Sequence, residues 1–241
     1  MSSSLSAENV LDLWERGEAC PPVARGLAIL ASASEDPAPQ QFSIGECEDR
    51  LLALHEATFG RRLNGYAQCP SCGERLELAL DIPGLRAAVP EPAPSEALRY
   101  QGYEVRFRAL TGADLMAAAH CASVSLARSA LLERAIVAAV RRGRAVRSSQ
   151  LPRAVVERLA HRLAECDPWA ESVLNLSCPD CLHEWSVVLD VSIFVWTAIR
   201  ARAQRLLHDV HALARAYGWR ESDILAMSNR RREAYLELVG A

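Results

Sequence analysis

Four cysteines, Cys69, Cys72, Cys178 and Cys181, are the side chains whose spacing best suits joint chemistry. They stand in two short stretches, "QCPSCGERLELALDI" (residues 68–82) and "SCPDCLHEWSVVLDV" (residues 177–191), which are 109 positions apart. Two residues between cysteines let both thiolates of a tight turn face one ion while backbone amides donate to the sulfurs, and two such turns complete a tetrahedral set. The spacing predicts one shared structural zinc ion per chain, held by Cys69, Cys72, Cys178 and Cys181. A closed set of four thiolates leaves no position for water, so the expected role is a clamp and not a Lewis acid. Other uses of these cysteines stay open at this point: iron in place of zinc, a redox pair, two CxxC disulfides, or free thiols. A redox pair would want CPxC at the start of a helix, where the dipole lowers the thiolate pKa.

The likeness of the two stretches runs past the cysteines. Asp81 follows Cys72, and Asp190 follows Cys181, by the same nine positions, and Leu-Asp-Ile is answered by Leu-Asp-Val. After Cys72 the chain alternates, with Leu76, Leu78 and Leu80 on one face and Arg75, Glu77 and Ala79 on the other, which is a strand pattern. Each motif is also preceded by a helix and a short extended segment, "LNGYAQ" or "SVLNLS". Two similar halves follow, each a helix, a knuckle and a return strand, and the long segment between them must bring its ends back together. The expected fold class is α+β, mostly helical, with two pseudo-symmetric CPxC β-hairpins forming a zinc-ribbon-like centre.

The elements that must position these hairpins are mainly helical. Residues 6–17, 22–33 and 46–59 carry apolar residues at intervals of three and four, the last run closed by Gly60. "SASEDPAPQQ" and "VPEPAPSEA" read as Pro-rich connectors, and "LRYQGYEVRFRAL" as a hairpin turning at Gln101-Gly102. Thr111 to about Arg142 reads as two helices, "RRGRAVRSSQ" as a basic loop, and Leu151 to Cys166 as a Pro-started helix. A long helix from about Ser192 to Tyr217 ends at Gly218, and two short helices close the chain. Its seam of Trp196, Ile199, Ala203, Leu206, Val210, Leu213 and Tyr217 suits either the chain's own core or a partner helix. The expected segments are 1–60, 61–110, 111–172, 173–191 and 192–241, within one compact unit.

Composition narrows the function classes. The chain has 241 residues, half of them hydrophobic, so a sizeable core is expected. A net charge of -3 argues against nucleic acid as a general partner. There is neither an apolar run of membrane-spanning length nor a signal-peptide pattern, so a cytoplasmic protein without a membrane span is expected. In a reducing compartment its eight cysteines point to metal and not to disulfides. Cys20, Cys47, Cys121 and Cys166 stand singly and read as small buried hydrophobes, while His183, His208 and His211 read as solvent-facing. No nucleotide-binding, hydrolase or metalloprotease motif is present, so no enzyme is expected. Arg141, Arg142, Arg144 and Arg147, with Arg230, Arg231 and Arg232, carry the alternative, a zinc-ribbon nucleic-acid-binding or regulatory protein. Aromatic residues, only 6% of the chain, are seldom interleaved with these arginines to stack bases.

Near the C-terminus, Leu207-His-Asp-Val-His-x-Leu-Ala leads into Tyr217-Gly218-Trp219, followed by Ile224, Leu225, Ser228, Arg231 and Tyr235-Leu-Glu-Leu-Val. With the paired CPxC segments and "LLALHEATFG", this stretch resembles baseplate proteins of contractile phage tails and contractile injection systems, of the phage hub-assembly type. The chain departs from that pattern at Arg220, where relatives tend to have a capping Ser, and at Leu182, where a Gly is usual. The resemblance implies a non-enzymatic structural or assembly component whose partners are other baseplate or tail proteins. Tyr217, Trp219, Ile224, Leu225, Arg231, Tyr235 and Leu236 are the candidate contact residues. Several of them would serve equally well in a small terminal core.

Overall fold

Short polar residues set where the first helices begin. The computed structural model describes residues 4–33, 38–93 and 97–240, so parts of both Pro-rich connectors, 34–37 and 94–96, lie outside the described residues. α1 (Ala7–Glu18) starts on Ser6, whose hydroxyl accepts from the Asn9 amide, and α2 (Pro22–Ala33) starts on proline. α3 (Ile44–Phe59) starts on Ser43, which accepts from the Glu46 amide. Such a cap contributes about 1 kcal/mol. Gly60 ends α3, and the chain enters the first hairpin, β1 (Arg62–Gln68) and β2 (Arg75–Asp81). In β2 the residues Leu76, Leu78 and Leu80 are the half-buried ones, as the alternation predicts. A short helix, α4 (Ile82–Ala88), follows directly.

The middle of the chain builds its own small core. β3 (Leu98–Tyr100) and β4 (Tyr103–Phe107) turn at Gln101 and Gly102, both with positive φ, where the turn was expected. α5 (Gly112–Ala119) and α6 (Val124–Ala135) come next. Ile136–Arg141, expected to continue a helix, is instead strand β5, paired antiparallel with β4 and then with β6 (Arg144–Ala145). The physical reason is tertiary: β4 offers a pairing edge, and the β-branched Ile136, Val137 and Val140 suit a strand better than a helix. α7 (Arg153–Cys166) closes this core, in which Val105, Val155 and Leu159 are fully buried. Asp114, 2% exposed, ties the module together. It accepts from Arg108 at 2.7 and 3.0 Å, from Arg134, and from the Thr111 amide and hydroxyl. These donors, Arg108 first, hold its carboxyl well below the usual range despite burial.

The second hairpin, β7 (Val173–Ser177) and β8 (Glu184–Val188), feeds α8 (Val191–Tyr217), a helix of 27 residues. This helix is the spine of the molecule and packs on α1, α2 and α3. Trp196, Ile199, Ala203 and Leu206 of its seam are buried with Leu51, Leu52 and Leu54 of α3, so this part of the seam is the chain's own core. Each fully buried Leu or Ile there contributes about 1.5–3 kcal/mol. Leu213 is buried as well, Val210 is half-buried and Tyr217 is exposed. Gly218 ends the helix, and α9 (Glu221–Leu225) and α10 (Asn229–Gly240) fold back onto it. The fold is α+β and mostly helical, with the strands among the described residues confined to small antiparallel sheets of two, four and two strands.

Candidate metal centre

The two hairpins pair in the same register. Gln68 faces Arg75 and Ser177 faces Glu184 beside the turns, and Asn64–Ala79 is answered by Val173–Val188. The turns share their backbone bonds too. The Cys69 amide donates to the Glu74 carbonyl at 2.8 Å, and the Cys178 amide to the His183 carbonyl at 2.9 Å. The Gly73 and Leu182 amides each donate back to the first cysteine's carbonyl at 3.0 Å. The residue after the second cysteine is left-handed in both, Gly73 with φ +80° and Leu182 with φ +59°. A glycine takes this conformation freely and a leucine does not. The backbone of the second turn therefore overrides the preference of its own side chain.

These turns bring the four sulfurs together. Cys69 Sγ lies 3.6 Å from Cys181 Sγ, Cys72 Sγ lies 3.6 Å from Cys178 Sγ, and all four ligand atoms fall within 4.8 Å of one another. Thiolates about 2.3 Å from a tetrahedral ion stand about 3.8 Å apart, so the quartet fits a single metal. The 3.6 Å separations are far beyond a disulfide bond of about 2.05 Å, and no disulfide joins any of the eight cysteines. Each close pair joins the first cysteine of one hairpin to the second of the other. Cys69 and Cys178 are buried, while Cys72 and Cys181 are exposed.

The electrostatics suit a cation. Burial opposes ionisation of Cys69, but the amides of Cys72 and Ser71 and the thiols of Cys181 and Cys72 outweigh it and bring its pKa down to about 6. At Cys72 the Glu74 amide favours the thiolate, yet the sulfurs of Cys181, Cys178 and Cys69, with burial, push the pKa up to about 12. The cluster holds a first negative charge readily and resists further ones. A divalent cation removes that resistance. The four cysteines are thus positioned to bind a metal ion.

The flanks explain the nine-residue spacing. An aspartate caps the helix after each return strand: Asp81, the last residue of β2, accepts from the Gly84 amide, and Asp190, two residues past β8, accepts from the Ile193 amide, both at 3.2 Å. The residues that follow, Ile82 and Val191, are buried. Their amides are satisfied differently. Ile82 donates to the Arg61 carbonyl at 2.9 Å, whereas Val191 donates to the Glu48 carboxylate at 3.0 Å. Burial, with the charge of Asp190 nearby, pushes Glu48 up to about 7, against the pull of the Val191 amide. Gly65 lets β1 sit on α8, since a Cβ there would stand 2.5 Å from the Phe194 ring. The aligned position in the second hairpin is Leu174, which packs against the main core.

The remaining sequence candidates sort by burial. His183 is exposed and stacks on Trp185 at 6.1 Å, and His208 and His211 are exposed on α8. Cys47 is buried, its thiol pushed up to about 12 chiefly by desolvation, and Cys20, Cys121 and Cys166 are half-buried. Tyr217 stacks on Trp219 at 4.5 Å, Tyr235 meets Trp219 edge-on at 4.8 Å, and Arg231 lies over Tyr235. Ile224 is fully buried and belongs to the interior, Trp219, Leu225, Tyr235 and Leu236 are half-buried, and Tyr217 and Arg231 are exposed. Arg232, one of the arginines carrying the nucleic-acid alternative, is 1% exposed and so is not available to a ligand. It donates to Asp209 at 3.1 Å and to Asn229 at 2.7 Å, latching α10 onto α8. Arg141, Arg142, Arg144 and Arg147 are exposed around the β5–β6 turn.

No helix among the described residues is long and apolar enough to cross a membrane. Comparison of the chain with protein-family models, curated proteins and solved structures finds no match.

Proposed function

We propose that this chain is a non-enzymatic structural or assembly component of a contractile tail-like particle, its two halves clamped by one zinc ion on Cys69, Cys72, Cys178 and Cys181. The convergence of these four sulfurs from two hairpins in matching register is the observation that carries the clamp. Zinc is the ion proposed because it is redox-inactive and takes tetrahedral thiolate sets in structural sites. When bound it supplies four bonds that tie both ends of the intervening segment to one point. The chain's own part is to pre-fold both turns, donate amides to the Cys69 and Cys72 sulfurs and bury Cys69 and Cys178. The assembly role is supported by the resemblance over residues 207–239 and by the aromatic group of Tyr217, Trp219 and Tyr235 near the end of α8.

Elemental analysis of purified protein tests the clamp: one zinc and no iron per chain is expected, and a metal-free, fully reduced and folded protein would end it. Co-purification with sheath, tube or spike subunits, weakened by Trp219→Ala, tests the assembly role. Salt-sensitive binding of RNA or DNA would instead favour a nucleic-acid reading. The exposed arginines of the β5–β6 hairpin are the observation behind that second reading.

A further inference from the structure

At the end of β1 away from its knuckle lies a cleft of about 450 Å³ with an unusual charge balance. Arg62 from β1, Arg202 and Arg205 from α8, His55 from α3 and Asn229 from α10 line it, with Phe194 on one wall. The lining includes no Asp or Glu. Among the described residues, none of the three arginines forms an ion pair with a carboxylate. Among the described residues Arg205 bonds only the Ala201 carbonyl of its own helix, at 3.3 Å. Arg202 donates to Asn229 Oδ1, an oxygen that also accepts from the buried Arg232.

Like charges crowd here. Burial, then Arg232 and Arg205, push the Arg202 pKa down, with Asp209 and Glu233 the acids that act against them. Asp209 is already the partner of Arg232. The His55 ring shares a 3.1 Å hydrogen bond with the Gly60 carbonyl through Nδ1, and burial pushes its pKa down, so the ring adds no fixed charge near neutrality. Arg202 is half-buried, while Arg62 and Arg205 are exposed at the cleft's edge. Guanidinium groups that line a cleft with no carboxylate in its wall are stabilised by a bound oxyanion, to which they donate paired N–H bonds.

We propose that this cleft binds a phosphate group carried by a small molecule, with Arg62, Arg202 and Arg205 around the oxyanion and the molecule's apolar body against Phe194. Three guanidinium groups from two elements match a dianion better than a single carboxylate. The volume is in the range of small-molecule sites, roughly 300–1,000 Å³, and far exceeds one phosphate. The site is separate from the cysteine cluster, and its test does not depend on the assembly role.

Thermal unfolding of the full-length, metal-loaded protein is the test, with phenyl phosphate, inorganic phosphate and benzoate as probes in chloride buffers of equal ionic strength. Phenyl phosphate at ten times its dissociation constant is expected to raise Tm by about 3–5 °C, and benzoate to do much less. Arg205→Gln is expected to weaken phenyl phosphate binding about tenfold or more while metal content and the melting point in chloride stay at parent values. Arg62→Gln, on a different element, repeats the test should Arg205→Gln not fold. The proposal is overturned if chloride alone reproduces the shift, if benzoate matches phenyl phosphate, or if both variants bind as the parent does.

Discussion

The two knuckle hairpins share a register, a turn and a pair of ligand positions, yet they are embedded in different ways. The first has a glycine at the left-handed position, a glycine under Phe194, and backbone partners for the amide that opens its following helix. The second has Leu182, Leu174 and the Glu48 carboxylate at the corresponding places. The faces differ as well: Arg75 lies over Tyr66 at 3.9 Å in the first, where Ser186 donates to Asn175 at 2.8 Å in the second. The first hairpin leads into a helix of 7 residues and the second into one of 27. The turns and the sulfurs thus match what one shared four-cysteine site requires, while each flank answers to its own neighbours. The likeness of the halves is local chemistry, and their difference is tertiary load.

Four experiments break or sharpen that comparison. Cys69→Ser and Cys178→Ser come first, because each should remove the same ion and with it metal-binding free energy on the order of 10 kcal/mol. Metal content and thermal unfolding read this directly; if each substitution left half of the bound metal, two independent sites would replace the shared one.

Next is pH. The folded-state pKa of Glu48 is raised from about 4.5 to about 7, so the native state holds a proton that the unfolded chain has released between those values. Stability should accordingly be full below about pH 4.5 and fall as pH rises towards 7, by up to about 3 kcal/mol. Glu48→Gln should flatten this part of the profile in denaturant titrations, and a slope that survives it would assign the effect elsewhere.

Third, Gly65→Leu writes the second hairpin's residue into the first. The clash with Phe194 should cost about 1–3 kcal/mol with metal content retained. Unchanged stability would mean that β1 can lift off α8 freely.

The smallest effect concerns the turn itself. Leu182→Gly should stabilise by about 1 kcal/mol and Gly73→Leu should destabilise by a similar amount, since only glycine takes the left-handed conformation without steric cost. Opposite shifts in the midpoint of chemical unfolding would establish that the turns are equivalent; parallel shifts would deny it.

Much of the site was legible because its determinants are short-range. Paired CPxC turns, a strand alternating over Leu76, Leu78 and Leu80, and an aspartate nine residues after the knuckle all lie within one stretch of chain. The buried part of the α8 seam was legible too, as helical periodicity, although whether it served the chain's own core or a partner was left to the tertiary structure. What failed depended on distant partners. "AIVAAV" reads as helix when alone, and becomes a strand because β4 lies beside it. Arg232 sits in a run of three arginines that gives no sign of which one turns inward, and only the placement of Asp209 on α8 decides it. Glu48 acquires its role from Val191, 143 residues away.

The separation of the half-sites bears on events during synthesis. Cys69 and Cys72 leave the ribosome more than a hundred residues ahead of Cys178 and Cys181. At about 5–20 residues per second the first pair waits on the order of 5–20 s for its counterpart. Within that interval the whole β3–α7 module emerges, with a core whose buried residues all lie between Leu98 and Leu159. That module can condense first and shorten the path over which the hairpins must find each other. Capture of a metal would then report that the last strands have arrived, with α8 still to complete the main core.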